Sequence, residues 1–143
     1  MVSRPTQSPA HPPCGETDVK DLVNSFLVAF NNGDAGHLDK LISTGAFLWW
    51  STDAPGQRYD PDARDRSTLI AYFADRHLHQ DRLVLLSFRF NGLSAELGNF
   101  EFTLVRSAND GAARTPYGGK GAMDCWDRPF TLSVWSMART PST

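Results

Sequence analysis

One amphipathic segment near the N-terminus constrains the fold more than any other part of the sequence. Its large apolar residues recur every three or four positions, the spacing that lines one face of an α-helix: Val19, Leu22, Val23, Phe26, Leu27 and Phe30. Asn32 and Gly33 follow as a typical helix end, and Thr17 or Asp18 can cap the first turn. A helix with one apolar face needs a second layer of structure to cover that face.

The rest of the chain predicts two further helices and five strands. Asp34 caps a short second helix that ends at Gly45, and Ser67 caps a third helix that includes Leu78. Strands are predicted at residues 46–52, 82–90, 99–107, 119–127 and 130–138, with Asn91–Gly92 as a hairpin turn. The order α-α-β-α-β-β-β-β, with helices first and an antiparallel sheet later, is typical of an α+β fold.

The composition indicates one globular domain. The chain has 143 residues, of which 41% are hydrophobic and 21% are charged, a size that supports one core and not two. Residues 1–15 are rich in proline and have no apolar periodicity, so we expect a flexible leader there. The domain is expected over residues 16–139, followed by a tail over residues 140–143.

The charge and hydropathy exclude two classes of partner. Sixteen acidic and fourteen basic residues give a net charge of −2, without the excess of positive charge that binds nucleic acids or anionic lipids. No apolar run approaches the roughly eighteen residues of a membrane-spanning helix. We therefore expect no nucleic-acid partner, no membrane association and a cytoplasmic location. An extracytoplasmic location is the alternative if a signal segment preceded this chain.

Two cysteines, Cys14 and Cys125, are too few for a metal cluster or a disulfide framework. Cys125 belongs to a predicted strand and is expected to be a small buried apolar residue, whereas Cys14 belongs to the leader, which is not expected to pack. A disulfide between them requires an oxidising compartment, and the sequence leaves their pairing open. We predict neither a metal site nor a cofactor.

The local sequence and the order of elements resemble the NTF2-like superfamily, which includes the ketosteroid isomerases and the SnoaL-like polyketide cyclases. The clearest match is the segment Phe26–Leu27–Val28–Ala29–Phe30–Asn31–Asn32–Gly33–Asp34, followed by Leu38, Leu41 and Ile42. The resemblance covers residues 17–138. It implies a cone, in which three N-terminal helices pack in a curved antiparallel sheet around one apolar pocket for a small apolar molecule. It also implies a homodimer, for which Trp135 and Phe102 are the expected interface residues.

Two aspartates match catalytic residues of the ketosteroid isomerases. Asp53 follows the first strand, before a Pro-Gly turn, where those enzymes place their general base. Asp124 matches a strand aspartate that those enzymes keep protonated as a hydrogen-bond donor to the substrate oxygen. The alternatives are that Asp53 only shapes a turn and that Asp124 is an exposed acid on the outer sheet face. A water-activating Asp-Arg-Asp set, as in the epoxide hydrolases of the superfamily, would use Asp53, Arg89 or Arg106, and Asp124, although exposed cross-strand pairs are the simpler interpretation.

The sequence departs from the isomerases at Phe26, which takes the place of their oxyanion-donating tyrosine. A phenyl ring donates no hydrogen bond, and Tyr72 is the candidate replacement. Trp49 and Trp50 face opposite ways on one strand, so one of them is expected to enter the pocket or core. The residues expected to line the pocket are Phe26, Phe30, Trp49, Trp50, Tyr72, Phe73, Phe102 and Trp126.

Two functions remain open at this point. The first is a pocket protein that catalyses cofactor-free proton transfer on a small apolar carbonyl compound, as an isomerase, cyclase or dehydratase, with Asp53 as base and Asp124 as acid or hydrogen-bond donor. The alternative is a non-catalytic ligand-binding or dimerisation module, which the phenylalanine at position 26 favours.

Overall fold

Three helices and five strands follow one another in the predicted order. The computed structural model describes residues 14–43, 48–52, 66–94, 96–109, 114–126 and 128–140, with the backbone alone for residues 48–52. The elements are α1 (Glu16–Asn32), α2 (Ala35–Leu41), β1 (Leu48–Thr52), α3 (Arg66–Leu78), β2 (Arg82–Ser94), β3 (Leu97–Ser107), β4 (Thr115–Asp124) and β5 (Thr131–Arg139). In the described part of the chain, no helix is both long enough and apolar enough to cross a membrane.

The five strands form one sheet in the order β1-β5-β4-β3-β2. Strands β2 to β5 are antiparallel to their neighbours, as predicted. Strand β1 adds a parallel edge to β5, with Leu48 opposite Val134 and Thr52 opposite Ala138. A parallel pair needs a long crossover between its strands, and α3 together with β2, β3 and β4 provides it.

The helix ends follow from local hydrogen bonds. The cap of α1 is Gly15 and not Thr17 or Asp18, but Asp18 contributes because its Oδ2 accepts a hydrogen bond from the Gly15 backbone N at 3.0 Å. Gly33 ends α1 with φ of 67°, a left-handed conformation that favours glycine. Asp34 caps α2 as predicted, with its Oδ1 accepting from the His37 backbone N at 3.1 Å.

The hairpin between β2 and β3 turns later than predicted. Strand β2 continues to Ser94, so Asn91–Gly92 lies inside the strand. Gly92 has φ of 99°, at an irregularity of the register between Phe90 and Gly92. Glycine adopts this conformation without steric cost, and the Asn-Gly pair therefore marks a β-bulge and not the turn.

Helices α1 and α2 pack against one face of the sheet, which we call the inner face, and α3 packs against α1 and α2. The predicted stripe of α1 is buried there along its whole length, from Val19 to Phe30. Inner-face residues alternate along β3, where Phe100, Phe102 and Leu104 are buried. Fully burying a large apolar side chain contributes about 1.5–3 kcal/mol to stability, so this layer is the main source of stability in the domain.

A disulfide joins Cys14 to Cys125 and ties the start of α1 to the end of β4. The two Cα atoms are 5.7 Å apart, and Cys14 is 2% exposed. A Cβ atom added at Gly98 would lie 3.2 Å from each sulfur, so the absence of a side chain at Gly98 leaves room for the bridge. The expectation that Cys14 does not pack is therefore wrong.

We predict that replacing both Cys14 and Cys125 with serine lowers the free energy of unfolding by about 2–5 kcal/mol. The cysteines are 111 positions apart, so the bridge restricts much of the unfolded chain. Urea unfolding followed by tryptophan fluorescence measures the change, and wild-type protein unfolded with a thiol reductant is the matched control. A loss below about 1 kcal/mol would contradict a stabilising bridge.

Candidate functional site

Six aromatic side chains fill the space between the helices and the inner face of the sheet. The ring centroids of Phe102 and Trp135 are 4.2 Å apart, and those of Phe26 and Trp135 are 4.9 Å apart. Phe73 contacts the ring of Phe26 at 5.9 Å. We call this cluster the aromatic core: Phe26, Phe30, Phe73, Phe100, Phe102 and Trp135. It includes four of the residues predicted to line a pocket, and the structure packs them against one another.

Burial excludes the two residues expected at a dimer interface. Trp135 is 0% exposed and Phe102 is 3% exposed, and both face the helices. The expectation that they form the interface is therefore wrong. Alternation along β3 and β5 places them on the inner face, a side that the sequence alone does not fix.

The polar residues of the inner face gather at one end of the sheet, where β1, β3 and β5 end and β2 and β4 begin. We call this region the polar end. Arg106, Tyr117 and Arg139 come from β3, β4 and β5. Helix α3 and the start of β2 complete the set, which is Tyr72, Arg76, Asp81, Arg106, Tyr117 and Arg139.

Asp81 is completely buried between two arginines of the polar end. Its Oδ2 accepts hydrogen bonds from Arg76 Nε at 2.7 Å and from Arg106 Nη2 at 2.6 Å. Its Oδ1 accepts from Arg106 Nε at 3.0 Å. Burial alone lowers the pKa of Arg106, but the hydrogen bonds and charge of Asp81 outweigh burial and raise that pKa above its ordinary value. Arg106 is therefore a permanent cation, and it lies 5.5 Å from the ring centroid of Tyr117.

Arg139 is a further cation at the polar end. It lies opposite Tyr117 in the register of β4 and β5, and it follows Trp135 and Met137 on the inner face. Its Nε is buried and has no hydrogen-bond partner among the described residues. Among the described inner-face residues of the polar end, Arg76, Arg106 and Arg139 thus face one aspartate, Asp81, which is bound to the first two.

The two predicted catalytic aspartates are associated with different strands: Asp53 follows β1 in the sequence, and Asp124 is the last residue of β4. Asp53 lies outside the described residues, but Thr52, which precedes it, is opposite Ala138 and so reaches the polar end. Asp124 lies at the other end of β4, about 20 Å beyond Gly118 at the rise of a strand. Its Oδ1 accepts a hydrogen bond from the Trp126 backbone N at 2.9 Å, which stabilises the turn after β4. The catalytic roles of Asp53 and Asp124 stay predictions.

The remaining predicted pocket residues are dispersed. Tyr72 is partly buried, with its ring centroid 6.0 Å from that of Phe73. Trp126 is 62% exposed, beyond the end of β4. Trp49 and Trp50 are opposite Trp135 and Ser136 in the backbone register, and their side chains lie outside the described residues.

The outer face of the sheet carries a separate groove of about 600 Å³. Gly118, Lys120 and Ser136 are among its lining residues. Next to it, Arg89 Nη2 lies 3.1 Å from Glu101 Oε2, which is the exposed cross-strand pair given above as the simpler interpretation of Arg89. Hydrogen bonds from Asn91 and then Arg89 lower the pKa of Glu101. Nowhere in the described residues do three His, Cys, Asp or Glu side chains form a metal site.

Comparison with known proteins identifies the architecture. No family model and no curated protein matches the sequence. A proposed dehydratase from the NTF2-like family of Streptomyces avermitilis superposes with a TM-score of 0.69 at 10% identity, covering 88% of this chain and 96% of that one. The chain has the NTF2-like fold. An uncharacterized protein with a cystatin-like fold from Caulobacter vibrioides gives a TM-score of 0.68 at 10% identity, covering 89% and 90% of the two chains. A proposed calcium/calmodulin dependent protein kinase II association domain from Xanthomonas campestris gives 0.65 at 14% identity, covering 99% and 100%.

Within this NTF2-like fold, the sequence analysis missed Asp81 and Arg139 as residues of a site. Asp81 follows a helix end and precedes a strand, where an acidic residue ordinarily belongs to a solvated loop. Its partner Arg106 is 25 positions later in the chain, and only the pairing of β2 with β3 brings the two together. The sequence contains one indication of the position of Arg139. It is two residues after Met137 and four after Trp135 on β5, so alternation places it on the same face as those two side chains.

We predict that Asp81→Asn lowers the free energy of unfolding by about 3–5 kcal/mol, because it leaves two arginine side chains without their shared carboxylate. Asp75→Asn is the matched control, since the side chain of Asp75 is 59% exposed, and it should change stability by no more than about 0.5 kcal/mol. Thermal and urea unfolding of both variants measure the difference. Equal stability of the two variants would contradict a structural role for the buried pair.

Proposed function

We propose that the protein binds a small, mostly apolar carbonyl compound at the polar end and catalyses cofactor-free proton transfer next to the carbonyl group. The observation that carries this proposal is the position of β1, whose last residue, Thr52, reaches the polar end directly before Asp53. Apolar side chains of the aromatic core flank the same region.

The chemistry assigns one role to each group. Asp53 accepts the proton from the carbon next to the carbonyl, and the electron pair of that C–H bond moves to form an enolate. Asp53 then returns the proton to another carbon, which gives the isomeric product. The enolate oxygen needs a hydrogen-bond donor or a cation in a water-poor site. Tyr72, Tyr117 and the fixed charge of Arg106 are the groups we assign to it.

This assignment replaces Asp124 with residues of the polar end as the source of the oxyanion hydrogen bond. Asp124 is separated from the polar end by most of β4, and its carboxylate is engaged with the Trp126 backbone. The phenylalanine at position 26 remains inside the aromatic core. The proposed dehydratase among the similar structures is consistent with the reaction class, since dehydration next to a carbonyl also begins with removal of a proton.

We also propose an extracytoplasmic location. The buried disulfide between Cys14 and Cys125 supports it, because such bridges persist in oxidising compartments and are rare in a reducing cytoplasm. The proposal therefore adopts the extracytoplasmic alternative given in the sequence analysis and not the cytoplasmic location expected there.

We predict that Asp53→Asn slows the isomerisation of a β,γ-unsaturated cyclic ketone by about 10²-fold or more, because an amide does not accept the proton. Absorbance of the conjugated product follows the reaction. Asp124→Asn is the comparison variant and should retain the wild-type rate within about threefold. No turnover by the wild type above the buffer rate would refute the enzyme proposal for this substrate class, and an equal loss in both variants would restore Asp124 to the site.

A second proposal is that two copies pair through the outer face of the sheet. Arg89, Glu101 and Lys120 lie in one row across β2, β3 and β4, beside the groove described above. On the edge strand β2, Val84 is 51% exposed and Leu86 is 62% exposed. Exposed apolar side chains that lie close together favour a surface that contacts a partner. A two-fold axis through this row would place Glu101 of each copy against Lys120 of the other. The association domain among the similar structures is consistent with pairing.

We predict that Lys120→Glu weakens the dimer, because it places acidic residues opposite each other across the axis. Light scattering after size exclusion measures the mass over a range of concentrations. The double variant Glu101→Lys with Lys120→Glu exchanges the charges and should restore the dimer. A monomeric wild type at all concentrations would refute the pairing, and so would a dimer that Lys120→Glu leaves intact.

A further inference from the structure

We infer that Arg139 is a carboxylate-binding subsite at the polar end, so that the ligand of this protein is a small apolar oxo acid. The inference rests on the proposed function, because it names the substrate class of the same site. It goes further because it gives the ligand a carboxylate that binds Arg139, in addition to the carbonyl group that reacts.

The position of Arg139 points to a ligand. The guanidinium comes from the last residue of β5, on the inner face, in line with the buried side chains of Trp135 and Met137. Its Nε is shielded from water, yet no described residue accepts its hydrogen bond. A buried donor without a partner is unfavourable, and an anion that enters the site and accepts the hydrogen bond removes this cost.

The charges around Arg139 favour an anion over a neutral group. Asp81 is the one acid among the residues that define the polar end, and it is held by Arg76 and Arg106 through three short hydrogen bonds. Among the described residues of the polar end, no acid is therefore left to neutralise Arg139. Arg106 lies over the ring of Tyr117, and Tyr117 is opposite Arg139 on the neighbouring strand, so a second cation is near the site although Asp81 is bound to it.

The shape of the guanidinium favours a carboxylate among anions. Its planar fork donates two parallel hydrogen bonds to the two oxygens of a carboxylate, and this geometry gives direction as well as affinity. Beyond Arg139, the inner-face residues of β5 are the apolar Met137 and Trp135, which are 2% and 0% exposed, so the neighbourhood of the guanidinium on this side is apolar. A ligand that satisfies both requirements has a carboxylate at one end and an apolar body at the other.

The test compares 2-naphthoate with 2-naphthamide, which have the same apolar body but differ in charge. Isothermal titration calorimetry gives the two dissociation constants. The wild type should bind 2-naphthoate at least about tenfold more tightly than 2-naphthamide, as expected for one charge-assisted bidentate contact. Arg139→Gln should remove this preference and leave the affinity for 2-naphthamide unchanged within about twofold.

Two further variants keep the test decisive. Arg139→Lys retains the charge without the fork and should keep only part of the preference. Arg82→Gln removes an exposed arginine at the start of β2 and should keep all of it, which separates a specific contact from the general positive charge of this end. Thermal unfolding of each variant confirms that it is folded.

The outcomes separate this inference from the proposed function. Equal affinity of the wild type for the two probes, or a preference that survives in Arg139→Gln, overturns the carboxylate subsite while small-molecule binding stands. Binding of neither probe by the folded wild type overturns both the subsite and the proposed binding site. A preference lost equally in Arg82→Gln and Arg139→Gln overturns the assignment to Arg139.

Discussion

The close packing of aromatic rings against two glycines of β4 determines how the interior of the domain is filled. A Cβ atom at Gly119 would lie 2.6 Å from Cζ of Phe102, and one at Gly121 would lie 2.7 Å from Cε2 of Phe100. Real Cβ atoms do not approach this closely, so only glycine lets both rings lie against the strand. Phe102 can then stack on Trp135, Phe26 of α1 packs against Trp135, and Phe73 of α3 packs against Phe26.

The two ends of the sheet on either side of this packing differ in the interactions that they contain. At one end, the disulfide and Gly98 fasten the start of α1 to β4, and Asp124 stabilises the following turn. At the other end, Asp81 holds two arginines in place, and the Nε of Arg139 has no hydrogen-bond partner among the described residues. Because the aromatic core occupies the centre, the charged groups described on the inner face are at the polar end, where we propose that a ligand binds. The stable end and the proposed reactive end are thus separated by the length of β4.

Much of the fold could be predicted from the sequence, and less of the site. The stripe from Val19 to Phe30 has the period of an α-helix alone, and the order of helices and strands along the chain followed from such patterns and from turn residues, whereas the order of strands in the sheet did not. The Asn91–Gly92 pair misled, because the same dipeptide suits a bulge and a turn. Site residues depend on which face each strand presents and on partners distant in the chain. Cys14 and Asp81 illustrate this, since each is defined by a contact that no local pattern contains.

The claim on which this account depends is that a ligand binds at the polar end. Chemical-shift mapping on ¹⁵N-labelled protein, titrated with the β,γ-unsaturated ketone, tests it directly. We predict that the largest amide shifts cluster at Tyr72, Arg106, Tyr117 and Arg139, with little change around Asp124 and Trp126. Shifts concentrated in the outer groove at Gly118 and Lys120, or at the disulfide end, would contradict it.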